Sequence, residues 1–131
     1  MINIVKIDSL EDLYTLFIDQ EYDAEIERYR SKYLYRGLSN EGYSLVTSLK
    51  RNCKEKQGEL EKSILRNFTK YAAIEDPELK ESIWRQLIIG QHHGLPTRLL
   101  DWTYSSLMAL NFATSGEDMS YMDKQNCVVW K

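Results

Sequence analysis

The sequence has few of the residues that small proteins use for cross-links or metal sites. Its 131 residues include two cysteines, Cys53 and Cys127, and two histidines, His92 and His93. The widely separated thiols match neither a disulfide framework nor the paired spacings of a zinc site, so no metal is expected. A chain of this length can bury a hydrophobic core without such supports. We therefore expect a single domain over residues 1–131.

Long apolar runs and an excess of positive charge are also missing. No run approaches the roughly 18 apolar residues of a membrane span, and no segment resembles a signal peptide. These absences predict a cytoplasmic protein without a membrane partner. Lys and Arg number 17 against 20 Asp and Glu, a net charge of −3. Nucleic acid is therefore the weakest candidate partner, although Lys50–Lys56 forms a local basic loop.

The first part of the chain predicts a strand, a helix and a second strand. Met1–Ile7 alternates polar and β-branched apolar residues, as a strand does. Ser9 is typical of a helix N-cap, with Asp12 three positions later, and this helix is expected to reach about Arg30. Tyr33–Gly37 is short, aromatic and strand-like.

Three helices and a last strand are predicted in the rest of the chain, and the whole pattern indicates an α+β fold. The predicted elements are an extended Leu45–Leu49, a charged loop Lys50–Gly58, helices Glu59–Ala73, Glu78–Ile89 and Ser105–Thr114, a polar loop Gly116–Asn126 and a strand Cys127–Trp130. We expect a small mixed sheet with about four helices. Residues 1–32 would supply the N-terminal strand and helix, and residues 33–131 the core. The chain ends one residue after the last strand, which leaves open a complete short form and a core truncated at its C terminus.

Tyr35-Arg36-Gly37 places a planar cation at the end of an apolar strand. A guanidinium group matches phosphate or carboxylate with two hydrogen bonds. Glycine lets a ligand, or another backbone, approach closely. The alternative is that Arg36 pairs with Asp101 or a glutamate and only holds the fold.

The stretch QHHGLPTRLLDW, residues 91–102, is the densest in polar side chains and helix breakers. Gln91, His92 and His93 open it, and neighbouring residues lie about 100° apart on a helix, so the two histidines do not share a face. We predict that His92 acts as acid, base or hydrogen-bond donor towards a ligand. The alternative is a histidine that caps the carbonyl groups at a helix C terminus.

Polar residues on both sides of a predicted helix start complete the candidate site. Arg98 and Asp101 flank two leucines that anchor the segment, and a buried Arg–Asp pair is the structural alternative. Asp101, Thr103 or Ser105 can cap the following helix, where free N–H groups also bind anions. We predict a partly buried polar network beside a cleft, formed by Arg36, His92, Arg98 and Asp101.

Three tryptophans, Trp84, Trp102 and Trp130, are the aromatic candidates for stacking on a nucleobase. Tryptophan is more often a core residue, and we expect all three to be core residues.

Taken in order, these motifs resemble those of the FRG domain family, named for a Phe-Arg-Gly motif. The matching stretches are Tyr35-Arg36-Gly37, Gln91–Thr103 and Ala109–Ala113, and this chain has tyrosine where the family name has phenylalanine. The resemblance covers about Tyr33–Lys131. It implies a mostly bacterial and phage-borne family.

The family pattern is in turn similar to that of ADP-ribosyltransferase folds, which implies a reduced fold of that kind with NAD as its cofactor or substrate. By this resemblance Arg36-Gly37 would hold the nicotinamide ribose, and the Thr97–Ser106 region would form the pocket. The implied catalytic residues are His92 and Asp101, and the implied ligand-binding residues are Tyr35, Arg36, Gly37, Gln91, Arg98, Thr103 and Ser105. A glutamate or glutamine expected on a later strand is absent from Cys127–Trp130.

The resemblance leaves two functions open. One is a nucleotide- or NAD-related pocket, enzymatic or not, that acts in conflict between bacteria and phage as a toxin or defence effector. The other is a non-catalytic binding protein with a protein partner, such as a phage-encoded inhibitor or sponge of a host defence component.

Overall fold

The computed structural model describes residues 2–18, 21–115 and 125–131. The helices are α1 (Leu10–Leu13), α2 (Ser48–Cys53), α3 (Gln57–Ala72), α4 (Ile83–His92) and α5 (Ser106–Thr114). The strands are β1 (Tyr22–Asp23), β2 (Arg28–Tyr29), β3 (Arg36–Leu38) and β4 (Val128–Trp130). A π-helical turn, Tyr14–Ile18, follows α1, and 3-10 turns cover Lys54–Lys56 and Pro77–Glu81. No helix within these ranges is long and apolar enough to cross a membrane.

The α+β class is confirmed, with a simpler sheet than predicted. Strand β1 pairs with β2, and β3 pairs with β4, both antiparallel. The described strands therefore form two separate two-stranded sheets in place of one mixed sheet. Most of the predicted polar loop Gly116–Asn126 lies outside the described residues.

The chain folds as two units. The first comprises the described residues of Met1–Tyr43 and Asp101–Lys131, and the second comprises Ser44–Leu100. The boundary at Leu100 falls inside the stretch QHHGLPTRLLDW. A single domain over residues 1–131 stays a prediction.

The predicted first strand, Met1–Ile7, is wrong for the residues described. Residues 2–8 lie in no helix or strand, and Ile2 and Ile4 are 71% and 81% exposed. Alternating residues form a strand only where a neighbouring strand supplies the ladder of hydrogen bonds. None of the described strands pairs with this segment.

The predicted N-cap at Ser9 is confirmed. The Asp12 N–H donates to Ser9 Oγ at 3.1 Å, and the Ser9 hydroxyl donates to Asp12 Oδ2 at 2.7 Å. The hydrogen bond from Ser9 lowers the pKa of the Asp12 carboxyl group, because it stabilises the charged form. This reciprocal pairing is what starts α1.

The predicted extension of that helix to Arg30 is wrong. The helical segment ends at Ile18, and β1 and β2 follow as an antiparallel hairpin. Glu27 has a φ of 51°, a left-handed conformation that a right-handed helix does not contain. Tyr22 and Tyr29 are cross-strand partners, and their rings meet edge to face with centroids 5.2 Å apart.

In the second unit, two predicted helices are confirmed and one helix was missed. Helices α3 and α4 correspond to the predictions of Glu59–Ala73 and Glu78–Ile89. The extended segment Leu45–Leu49 and the charged loop Lys50–Gly58 were wrong, because α2 and the start of α3 lie there. Thr47 Oγ1 accepts from the Lys50 N–H at 3.2 Å and caps α2. The buried apolar residues of this unit are Leu49, Leu65, Ala73, Leu79 and Leu87.

In the first unit, α5 packs against the β3–β4 sheet, as the predicted helix and strands allow. The sheet register pairs Arg36 with Trp130 and Gly37 with Val129. A Cβ atom built on Gly37 would lie 1.8 Å from the Ala109 carbonyl oxygen and 2.7 Å from the Ala113 nitrogen. Gly37 therefore admits another backbone, that of α5, on this side of the strand.

We expect Gly37→Ala to lower the free energy of unfolding by roughly 3 kcal/mol, at the upper end of the usual cost of overpacking. The added methyl group has no room, because its nearest neighbours are backbone atoms of a packed helix. Urea unfolding followed by circular dichroism measures the change.

Gly58→Ala is the matched control, since nothing lies within 4 Å of a Cβ atom at Gly58 in α3. This variant should be neutral or more stable by up to about 1 kcal/mol, because alanine favours helix more than glycine does. Equal stability of the two alanine variants would contradict the close contact at Gly37.

Candidate functional site

Arg36 is held at its outer end by the main chain of the segment that precedes α5. Its Nη1 donates to the Asp101 carbonyl oxygen at 2.6 Å. The side chain is half-buried, and its Nε is fully buried without a hydrogen-bond partner among the described residues. A buried donor without an acceptor is rare in proteins, so this nitrogen is a candidate donor to a ligand.

Arg36 meets Asp101 because the segments around them pair. The Tyr35 N–H donates to the Thr103 carbonyl at 2.7 Å, and the Thr103 N–H donates to the Tyr35 carbonyl at 2.9 Å. Tyr35 itself is 5% exposed, and its hydroxyl group lies 2.8 Å from Ser31 Oγ. These contacts make the Tyr35 side chain part of the core.

The hydroxyl groups of Thr103 and Ser105 start α5. Ser105 Oγ accepts from the Met108 N–H at 3.2 Å, and Thr103 Oγ1 accepts from the Ser105 N–H at 3.1 Å. Among the predicted capping residues, Ser105 is therefore the N-cap. The next residue, Ser106, is fully buried and donates from its hydroxyl group to the Phe17 carbonyl.

In the second unit, the Gln91–Leu95 segment ends α4 by a Schellman motif. Gly94 has a φ of 82°, and its N–H donates to the Gln91 carbonyl at 2.9 Å. The Leu95 N–H donates to the Gly90 carbonyl at 2.8 Å. These two bonds satisfy carbonyl groups that the helix end leaves open. Gly94, a helix breaker in this stretch, therefore has a structural role at the end of α4.

His92 and His93 lie at this helix end and are both exposed. Their rings meet edge to face with centroids 5.6 Å apart, and the His93 ring lies 6.4 Å from that of Phe68. A histidine in the last turn of a helix interacts favourably with the helix dipole when it is protonated. The position thus agrees with the structural alternative, and a role of His92 towards a ligand stays a prediction.

Thr97 joins three parts of the second unit and is fully buried. Its hydroxyl group donates to Gln91 Oε1, its N–H donates to Ser48 Oγ at 3.0 Å, and its carbonyl accepts from the Leu49 N–H at 3.1 Å. One residue thereby ties the loop after α4 to the start of α2 and to the end of α4. Gln91, a predicted ligand-binding residue, is part of this contact.

Arg98 forms an ion pair with Glu61 of α3, a partner that the sequence analysis did not identify. The Arg98 Nε donates to Glu61 Oε1 at 2.5 Å, and Nη2 donates to Oε2. Glu61 is buried, with 5% of its side chain exposed, whereas 64% of the Arg98 side chain is exposed. The signal was present, because Glu61 precedes buried Leu65 by four positions and so shares its helix face.

The predicted network of four residues is divided between the units. Arg36 and Asp101 belong to the first unit and meet through the Asp101 main chain. His92 and Arg98 belong to the second unit, where Arg98 binds Glu61. The tryptophans also differ from the core positions expected, since Trp84 is 63% and Trp102 40% exposed, while Trp130 is half-buried.

A depression of about 330 Å³ lies at the β1–β2 hairpin of the first unit. None of the predicted site residues lines it. Its lining residues are Glu21, Tyr22, Asp23, Ala24, Glu25, Arg30 and Lys32.

Comparison with known families identifies one match. Residues 31–121 match the family model described as FRG domain, which covers more than half of the chain. No curated protein and no solved structure matches the chain. The matched range includes Tyr35-Arg36-Gly37 and the whole stretch from Gln91 to Trp102.

We predict that loss of Arg98 is more harmful than loss of the Glu61 charge. Arg98→Ala leaves a buried carboxylate unpaired and should cost about 2 kcal/mol or more. Glu61→Gln leaves the mostly exposed Arg98 in solvent and should cost about 1 kcal/mol. Urea unfolding of both variants measures the difference.

Glu55→Gln is the matched control, because it removes an exposed carboxylate that pairs with Lys50 at 3.3 Å. Its stability should stay within about 0.5 kcal/mol of the wild type. If Arg98→Ala is tolerated as well as Glu55→Gln, the Arg98–Glu61 pair does not hold the loop.

Proposed function

The chain belongs to the FRG domain family, and we propose that it binds NAD or a related nucleotide through Arg36 in the first unit. The proposal includes an ADP-ribosyltransferase-like mode of binding and a role in conflict between bacteria and phage. The buried Nε of Arg36, which lacks an acceptor among the described residues, is the observation that supports it most directly.

Arg36 is suited to a phosphate or ribose oxygen. The guanidinium group carries five N–H donors in a rigid plane, and its Nη1 donates to the Asp101 carbonyl oxygen. That contact holds the group in place through an uncharged acceptor. An arginine oriented in this way loses less side-chain freedom when an anion binds.

The surroundings of the other predicted ligand-binding residues limit which of them can contact a ligand directly. Tyr35 is buried, and Gly37 faces the backbone of α5, so both act through the position of Arg36. Thr103 and Ser105 accept main-chain N–H groups at the start of α5. Thr103 pairs with Tyr35 and so lies on the face opposite Arg36. We propose that the hydroxyl group of Ser105 completes the contacts to the nucleotide.

Asp101 is the carboxylate proposed for turnover. Cleavage of the nicotinamide–ribose bond of NAD by water gives nicotinamide, ADP-ribose and a proton. Its transition state carries positive charge on the ribose ring, and a nearby anion lowers the barrier. Asp101 precedes the proposed contact at Ser105 by four positions. His92 remains a proposed acid or base.

A second function is binding without turnover. The family resemblance implies a glutamate or glutamine on a strand after Cys127–Trp130, and β4 itself, which consists of Val128, Val129 and Trp130, contains neither residue. A protein with the binding residues and without that side chain would sequester a nucleotide or a protein partner. An inhibitor or sponge of a defence component works in this way.

Calorimetry with NAD, together with a nicotinamide-release assay, tests the proposal. We expect wild type to bind NAD, and Arg36→Ala to bind about tenfold to hundredfold more weakly, the range for a lost hydrogen bond to a charged group. Arg36→Lys should recover only part of the affinity, because lysine keeps the charge and loses the planar fork.

Arg66→Ala, which removes an exposed arginine of α3, is the matched control and should bind as the wild type does. Release of nicotinamide would establish an enzyme, and binding without release would favour the second function. Absence of NAD binding in the wild type would overturn the proposed function and direct the search to a protein partner.

A further inference from the structure

Arg36 and Trp130 stand directly opposite each other in the β3–β4 sheet. Residues paired across two antiparallel strands point to the same face, with Cβ atoms about 4.5–5.5 Å apart. The two side chains therefore start from neighbouring positions on the same face of the sheet.

This face of the sheet is the one that α5 does not cover. Successive residues of a strand point to opposite faces. The Cβ direction of Gly37 leads into the α5 backbone at Ala109. Arg36 on β3, and Trp130 on β4, consequently project away from α5.

Both side chains carry a buried N–H donor without a partner. Arg36 Nε and Trp130 Nε1 are buried, and neither has a hydrogen-bond partner within the described part of the chain. Neither nitrogen can accept a hydrogen bond, since guanidinium and indole N–H groups are donors only. Each of these donors requires an acceptor, and one oxyanion placed between the two side chains can accept from both.

We infer that Arg36 Nε and Trp130 Nε1 together form a binding site for an oxyanion, a phosphate or a carboxylate group. Arg36 supplies the charge and part of its planar fork. Trp130 supplies a second, neutral donor with a fixed direction, because the indole ring is rigid. Trp130 is thus a ligand-binding residue that a sequence motif did not reveal.

This inference rests on the proposed function only in so far as the oxyanion is the pyrophosphate of a nucleotide. The two buried N–H groups need a hydrogen-bond acceptor whether or not the ligand carries nicotinamide. A buried water molecule is the other acceptor that could satisfy them. The acceptor is therefore a nucleotide pyrophosphate, another oxyanion or water, and NMR with several ligands distinguishes these three cases.

Nitrogen-15 NMR of the indole groups observes the site directly. The chain has three tryptophans, and Trp130→Phe and Trp84→Phe assign two of the three indole N–H signals by their loss. We expect inorganic pyrophosphate or acetate to move the Trp130 signal of the wild type in a saturable manner. The Trp84 signal, from an exposed ring of α4 in the other unit, should not follow it. A stronger response to pyrophosphate than to acetate would assign the site to phosphate.

Two tryptophan variants measure how much the Trp130 donor contributes to pyrophosphate affinity. Trp130→Phe keeps an aromatic ring and removes the donor, and we expect it to weaken pyrophosphate binding about tenfold or more. Trp84→Phe is the matched control and should leave that affinity unchanged. If Trp130→Phe does not fold, as judged by circular dichroism, the signal shifts of the wild type still decide the question.

Failure of the inference differs from failure of the proposed function. A shift of the Trp130 signal with pyrophosphate, in a protein that does not bind NAD, supports the oxyanion site and removes the NAD proposal. Binding of NAD by calorimetry without a response at Trp130 overturns the oxyanion site and leaves the function standing. No response to pyrophosphate, acetate, ADP-ribose or NAD overturns the inference and leaves water as the acceptor.

Discussion

The close approach of α5 to β3 is the constraint on which the first unit depends. It requires a residue without a side chain at Gly37, since the α5 backbone occupies the space of a Cβ atom. Because residues alternate along a strand, this contact also decides where Arg36 points. The glycine thus acts on the candidate site indirectly, because its contact with α5 turns Arg36 to the opposite face of the sheet.

The two parts of the stretch QHHGLPTRLLDW belong to different units and have different structural roles. Its first part ends α4 with Gly94, joins helices through Thr97 and binds α3 through Arg98. Its last part lies in the other unit, where the Asp101 carbonyl holds the Arg36 guanidinium group. Most of the polar groups in this stretch have partners inside the protein. Arg36, which precedes this stretch in the chain, keeps a buried donor without a partner among the described residues.

The tertiary structure adds Trp130 to the candidate site. Arg36 and Trp130 are far apart in the sequence, and pairing of β3 with β4 brings them together. Their two buried donors share a need for an acceptor, which links the fold to a definite class of ligand. An oxyanion site would serve a nucleotide-binding enzyme and a nucleotide sponge equally, so the proposed turnover would require a further residue, for which we propose Asp101.

The sequence by itself determined the features that depend on neighbours a few positions away. The cap at Ser9 and the helices α3, α4 and α5 were predictable for this reason, since a cap or an apolar stripe depends on residues within one or two turns. For the cap of α5 the sequence left Asp101, Thr103 and Ser105 open, and the structure has Ser105. The same reasoning failed for residues 2–8, where a strand pattern had no partner strand. Contacts over long sequence separations were decided by the tertiary structure: Arg98 with Glu61, Gly37 with α5, and Arg36 beside Trp130. The local sequence pattern indicates which face of a helix or strand is apolar or charged. Only the tertiary packing determines which distant residue contacts that face.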